Sequence, residues 1–215
     1  MPSRADWGSH GLRVVLLLVS LLGYFHALTL LPLAQAVAMG YTAPILVSLL
    51  AMLVLHERPS RWIWAALALG AAGVLVALWP ELRRAGDAGS AARIEGLASA
   101  ALAAVAFSGV MVLARRQAQR DSLWTILLVQ NLLPVLLLAG PAAAVWTPIA
   151  PGEWPAVVLL GLFATVGLLA LTFAFSHLEA SRVAPLEYTS FVWAGCWAMR
   201  CSARCRPPGR RPPRC

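Results

Sequence analysis

The sequence contains no lysine, and charged residues make up only 12% of its 215 positions. That share is about half of what soluble domains carry. The H-E-x-x-H and G-x-S-x-G motifs are also absent, as is a glycine-rich phosphate loop. We therefore predict that the chain is not an enzyme. An integral-membrane enzyme that works from scattered polar residues stays open as an alternative.

The cysteines do not form a metal-binding or disulfide pattern. Cys196 ends an apolar run, and Cys201, Cys205 and Cys215 lie in a tail rich in Arg and Pro. None has C-x-x-C spacing or a nearby histidine, which zinc sites usually require. We predict no metal, no other cofactor and no disulfide framework.

Apolar residues are abundant, at 60% of the chain with a mean hydropathy of +0.75. A helix needs roughly 20 apolar residues to cross about 30 Å of hydrocarbon, and such runs recur between Pro, Gly and charged breaks. The sequence therefore predicts an all-α integral membrane protein, a multi-span helical bundle. The predicted helices are 12–31, 34–55, 62–79, 94–114, 122–140, 155–175 and 182–199.

The first apolar run also has features of a secretory signal. Arg4 and Arg13 precede it, and the sequence at 34–36 resembles a cleavage site. Its apolar core is longer than the 7 to 15 residues typical of signals, and apolar sequence continues beyond the cut. These features favour a membrane span.

The positive charge is explained better by a bilayer surface than by nucleic acid. Six arginines lie in the last sixteen positions, and most others lie between apolar runs. Cytoplasmic loops retain Arg, and an N-terminus in the cytoplasm gives eight arginines inside against three outside, with the tail excluded. We predict a multi-pass protein of the inner (plasma) membrane with a cytoplasmic N-terminus and no nucleic-acid partner.

An internal repeat relates two distant segments, residues 27–44 and 174–190. Ala-x-x-Val-Ala occurs at 34–38 and again at 180–184, and Tyr41-Thr42 matches Tyr188-Thr189 after one inserted residue. Repeated halves are typical of transporters built from two related bundles with a site between them.

With these residues the sequence resembles the EamA family of the drug/metabolite transporter superfamily. The first copy of its repeat motif is carried by the segments at 32–36, 42–44 and 56–59, and the second by 180–189 with Trp193. The resemblance implies ten helices in two halves, of which this chain matches the third to ninth. Residues 1–80 would end the first repeat, 81–93 link the repeats, and 94–199 form an incomplete second repeat.

The resemblance implies a secondary transporter that moves small metabolites or drugs by alternating access, without ATP. Its partners would be the lipid bilayer and a small-molecule substrate, with protons and a homodimer left open. Missing helices on both sides support a rival interpretation, a non-transporting membrane fragment or a structural helical bundle. In the tail 200–215, Arg204 stands where the repeat predicts Glu, and we expect this tail to be translated from a shifted frame.

Glu187 is the first candidate for the substrate cavity. It lies about six residues, or roughly 9 Å, into its predicted helix, where a charge costs about 2.5 to 3.5 kcal/mol. A polar cavity or a role in proton coupling would explain why a glutamate lies at this depth. The alternative is that the side chain snorkels to the surface or stays protonated.

The other cavity candidates come from the two copies of the repeat. Gln35, Met39 and Thr42 share one helical face, although a helix–helix hydrogen bond explains Gln35 equally well. Prolines inside or near the start of helices remove backbone donors and can break helices at binding sites, but structural kinks are commoner. The remaining cavity candidates are Pro44, Pro185 and Tyr188.

Four further residues receive structural interpretations. Gln130 and Asn131 could satisfy backbone groups loosened by Pro134. Glu57 could pair with Arg61 one helical turn later, and Tyr41 is interpreted as a packing or hydrogen-bonding residue. In the fourth helix, Ala100, Ala104 and Ser108 recur every four residues, which is typical of helix contacts in lipid.

Overall fold

The computed structural model describes residues 4–84, 90–145, 147–148, 150–193 and 196. All regular structure within these residues is helical. The α-helices are α1 (Arg4–Leu30), α2 (Leu33–Gly40), α3 (Ala43–Val54), α4 (Arg61–Arg84), α5 (Ser90–Ala118), α6 (Leu123–Ala144), α7 (Trp154–His177) and α8 (Ala180–Val183). After α8 a 3-10 turn, Ala184–Leu186, leads into a helical segment at 187–193, which we call α9.

The predicted helices correspond to observed ones, with two changes. The second predicted helix is divided into α2 and α3, and the seventh begins with the irregular α8 and 3-10 turn before α9. Among the described residues, five stretches are long and apolar enough to cross a membrane: Trp7–Leu30, Leu33–Val54, Ala91–Ala118, Leu123–Ala144 and Trp154–His177. The all-helical membrane bundle is confirmed. The tail at 200–215 lies outside the described residues.

The break between α2 and α3 follows from Pro44. Proline has no backbone N–H, so the carbonyl of Gly40, four residues earlier, loses its helical donor. The turn is closed by bonds to the neighbouring carbonyl: the backbone N–H and the side-chain Oγ1 of Thr42 both donate to the carbonyl of Met39, at 3.1 and 2.6 Å. The chain therefore makes a tight turn at Tyr41-Thr42 without leaving the bundle.

Close packing is concentrated where α5 meets α1 and α3. The small-residue face of α5 is buried there: Ala100 is 2% exposed, Ala104 4% and Ser108 0%. Gly23 of α1 lies against the same face, because a Cβ there would come within 3.3 Å of the Ser99 carbonyl oxygen. Small side chains let helix backbones approach closely in lipid, and the predicted contact face on α5 is confirmed.

Candidate functional site

The two Tyr-Thr elements of the internal repeat meet in the structure. The hydroxyl of Tyr188 donates to the carbonyl oxygen of Tyr41 at 3.0 Å, and the two rings stack with centroids 5.9 Å apart. Phe191 packs edge-on against Tyr41 at 5.5 Å, and the hydroxyls of Tyr41 and Ser190 are 3.1 Å apart. The turn between α2 and α3 is therefore in direct contact with α9.

Helix α4 forms the next wall of this contact. A Cβ on Gly70 would overlap the ring of Tyr188, which is itself only 7% exposed. An open groove of about 600 Å³ runs between α4 and α9, lined by Gly70, Gly73, Tyr188 and Thr189 together with apolar side chains. The absence of a side chain at Gly70 thus allows α9 to approach α4.

The candidates from the first repeat lie along α2 and the turn. Gln35 is 5% exposed, and its Oε1 has no hydrogen-bond partner among the described residues. Met39 is half-buried and packs on a cluster that contains Ala27 and Ala36. Thr42 closes the turn, and Pro44 is fully buried. The unpaired oxygen makes Gln35 the strongest of these candidates for a polar contact.

The candidates from the second repeat lie on the 3-10 turn and α9. Pro185 is half-buried inside the turn. Glu187 is half-buried too, and no described residue forms a side-chain hydrogen bond or ion pair with it. Tyr188 is buried and contacts Tyr41. A carboxyl group without a partner on an apolar helix is costly to hold there.

The two groups of candidates are joined through Tyr41, which the sequence interpretation treated as a packing or hydrogen-bonding residue. Gln35 and Glu187 make no hydrogen bond with each other. The repeat alignment contained the signal for Tyr41, because it matched this residue to Tyr188. Matched positions come together only near the axis that relates the repeats, and Tyr41 and Tyr188 are such a pair.

A second interior polar network joins α1, α5 and α6. Arg13 is 4% exposed and donates to the amide oxygens of Gln117, at 2.8 Å, and of Gln130. Gln130 is therefore explained by Arg13 rather than by a backbone group freed by Pro134. Asn131 does donate to the backbone, from its Nδ2 to the Leu127 carbonyl at 2.8 Å, but the carbonyl that Pro134 leaves without a helical donor is that of Gln130. One turn earlier, His10 and Asp121 are 3.0 Å apart.

The structure corrects the interpretation of Glu57. Its carboxylate accepts backbone N–H bonds from Ala180 and Ser181, both at 3.1 Å, and lies 3.6 Å from the Nε of Arg115. These partners are more than fifty residues away in sequence. Helical spacing could predict only a nearby partner such as Arg61, and in the folded protein Glu57 contacts distant residues instead. Glu57 thus connects the loop after α3 to the start of α8.

These features define a polytopic helical membrane protein in which two copies of one repeat face each other. The family model for the EamA-like transporter family matches residues 1–79 and 94–200. The chain belongs to that family. A crystal structure with 22% identity shares the fold, with a TM-score of 0.77 over 97% of this chain and 73% of that one.

Curated relatives are described as transporters. The chain is 29% identical over 174 residues to the pseudopaline exporter of Pseudomonas aeruginosa, covering 81% of this chain and 59% of that protein. It is 22% identical over 183 residues to the S-adenosylmethionine uptake transporter of Rickettsia prowazekii, covering 85% and 60%. The chain therefore spans about three fifths of the length of these relatives. Their description as transporters is consistent with a chain that is not an enzyme.

Proposed function

We propose that this protein carries out secondary transport of small metabolites or drugs by alternating access between two related helical repeats. The contact between Tyr41 and Tyr188 is the main support, because it joins matched elements of the two copies where a shared site would form. Repeats at 1–80 and 94–199 fit the two ranges of the family match. Family membership favours transport over an inert helical bundle.

A transport assay tests this proposal directly. Cells that express the chain would be assayed for uptake and efflux of amino acids, nucleosides, vitamins and drugs, beginning with S-adenosylmethionine, the substrate named for one relative. Tyr188→Phe removes only the hydroxyl that bonds to Tyr41, and we expect about a tenfold loss of transport. The matched control is Thr165→Val, which removes an exposed hydroxyl on α7. Transport of no compound above the vector background would reject the proposal.

Glu187 is proposed to line the cavity and to couple transport to protons. Glu187→Gln keeps the shape and hydrogen-bonding capacity but removes the titrating group, so transport driven by a pH gradient should fall strongly at normal protein level. Glu153→Gln, on the short 3-10 helix before α7, is the control. Unchanged rate and pH dependence in Glu187→Gln would rule out proton coupling. If Glu187→Ala is silent as well, the residue has no role in the site.

We also propose an inner-membrane location with a cytoplasmic N-terminus. The packing of Arg13 and Arg115 inside the bundle removes both from the loop count, and six inside arginines against three outside still favour this orientation. Single cysteines at the exposed positions Gln119 and Thr147 would be treated with a maleimide from the outside. We expect labelling at 147 and protection at 119, and the reverse pattern would overturn the orientation. A homodimer belongs to the same proposal and is tested by the mass of the purified protein in detergent.

A further inference from the structure

Apart from the tyrosine pair, Glu57 makes a charged contact between the two repeats. Its side chain is 8% exposed and that of Arg115 is 11% exposed. Each carboxylate oxygen accepts a backbone N–H, from Ala180 and Ser181, and Arg115 lies beside one of them. Charge-assisted hydrogen bonds are about twice as strong as neutral ones. This contact therefore holds the start of α8 firmly against the end of α3.

Four separate segments meet at this contact. Glu57 belongs to the loop after α3, and its backbone N–H reaches back to the Ala51 carbonyl at 3.3 Å. Arg115 lies near the end of α5 and also donates to the carbonyl of Phe175, near the end of α7. Moving α8 away from α3 would break the two bonds that Glu57 accepts from Ala180 and Ser181. The arrangement acts as a single connection between the first repeat and the second.

The repeat-related position at the opposite end of the bundle differs. The sequence repeat matches Ala180 to Ala34, and α2 and α3 together span about 33 Å between Leu33 and Val54. There the start of α2 follows Pro32, whose side chain makes no capping hydrogen bond. Ala34 is half-buried, whereas Ala180 is fully buried. At one end of the contact between the repeats, the carboxylate of Glu57 thus covers Ala180. At the other end the related residue, Ala34, is more exposed.

We infer that Glu57 is the closing contact at one end of the transport pathway and that its bonds to Ala180 and Ser181 break when this end opens. The inference rests on the proposed alternating access. It gives Glu57 a conformational role and leaves substrate recognition to the tyrosine site. Because the contact is internal, it can be tested without knowing the substrate.

The test compares two repeat-related ends of the protein. In a background with the four native cysteines replaced by serine, a single cysteine is placed at Ser181 or at Ala34. The rate of labelling by a water-soluble maleimide is then measured in permeabilised membranes. With Glu57→Gln we expect labelling at 181 to rise about tenfold and labelling at 34 to fall. Alternating access requires one end to close as the other opens.

Glu179→Gln is the matched control. Glu179 lies directly before α8 but is only half-buried, with a side chain that is 37% exposed, and it pairs with Arg182 of the same segment at 2.8 Å. The Glu179→Gln substitution should leave the labelling rates at positions 181 and 34 unchanged. If Glu57→Gln does not insert stably, Glu57→Asp keeps the charge but shortens the reach, and the same reciprocal pattern is expected at smaller amplitude.

Two results would overturn the inference. Unchanged labelling at 181 in Glu57→Gln would mean that the contact does not hold this end closed. Faster labelling at both positions would mean that the substitution loosens the whole bundle, which is a structural role only. The transport assay fails or succeeds separately, since the labelling needs no substrate. A reciprocal labelling change without transport would keep the conformational role of Glu57 and reject the proposed function.

Discussion

Helices α5 and α7 are both long, strongly apolar spans, yet they occupy opposite environments. Half of the most apolar window of α5 is buried inside the protein, against 6% of that of α7. The buried face of α5 consists of small residues, including Ala100, Ala103 and Ala104. On α7 the large side chains of Leu160 and Phe163 are 72% and 73% exposed.

The comparison shows that being apolar enough to span the membrane and being packed against other helices are separate properties. Lipid solvates a Leu side chain as well as another helix does, so apolarity alone gives no force that brings spans together. Small residues bring helix backbones within van der Waals reach, and polar side chains add hydrogen bonds. Side-chain size therefore decides which span is central and which is peripheral.

The largest expected effect comes from filling the seam between α1 and α5. In Gly23→Leu the new side chain would meet the Ser99 carbonyl and the Cβ of Ala103, 3.3 and 3.4 Å from the ideal Cβ position. Overpacking of this kind costs about 3 kcal/mol. On α7 a Cβ at Gly161 meets no atom within 4 Å, so Gly161→Leu should be nearly neutral. Thermal denaturation in detergent measures the stability of both variants. Equal losses of stability would contradict the contrast between α5 and α7.

A smaller effect is expected from the polar bonds of the same seam. Gln117→Leu removes the amide oxygen that Arg13 binds at 2.8 Å and leaves a buried guanidinium short of an acceptor. We expect a loss of about 2 kcal/mol. Gln119→Leu, two residues later and exposed, serves as the control. Thermal denaturation in detergent measures both variants. Equal stabilities would show that the hydrogen bonds of Arg13 contribute nothing to the stability of the protein.

The smallest predicted effect concerns the turn after α3. His56 has a φ of 55°, a left-handed conformation that costs a side-chain-bearing residue about 1 kcal/mol and costs glycine almost nothing. His56→Gly should therefore stabilise the protein by about that amount. His177→Gly, inside the last turn of α7, should destabilise it by a similar amount. A decrease in melting temperature for His56→Gly would show that the imidazole makes contacts worth more than the strain.

The sequence predicted the spans well because the cost of placing a charge in hydrocarbon marks their ends. The small-residue face of α5 was also readable, since Ala100, Ala104 and Ser108 repeat at helical spacing. The division of the second span at Tyr41-Thr42 was harder to predict from the sequence. Pro44 alone predicts a kink, and the bonds from Thr42 to the Met39 carbonyl decide where the turn closes.

The site was only partly predictable. The repeat match selected Tyr188 and the segments around it. Tyr41 was interpreted as a packing or hydrogen-bonding residue, which its ring contacts and its hydroxyl confirm, whereas Glu57 was interpreted as a local helix-end residue. The partners that the fold supplies are distant in sequence, 147 residues away for Tyr41 and more than fifty for Glu57. Periodicity along a helix cannot identify such partners, because it gives the face on which a side chain lies and not the helix opposite.

The sequence by itself determined that this protein is a multi-span helical membrane protein built from a repeated element, because apolar length and repeated motifs are local properties of the chain. The tertiary structure decided which helices are central and joined Tyr41 to Tyr188. It also placed the carboxylate of Glu57 on the backbone of α8 beside Arg115. The physical reason is that bilayer solvation acts on each helix separately, whereas close packing and interior hydrogen bonds depend on pairs of helices meeting in three dimensions.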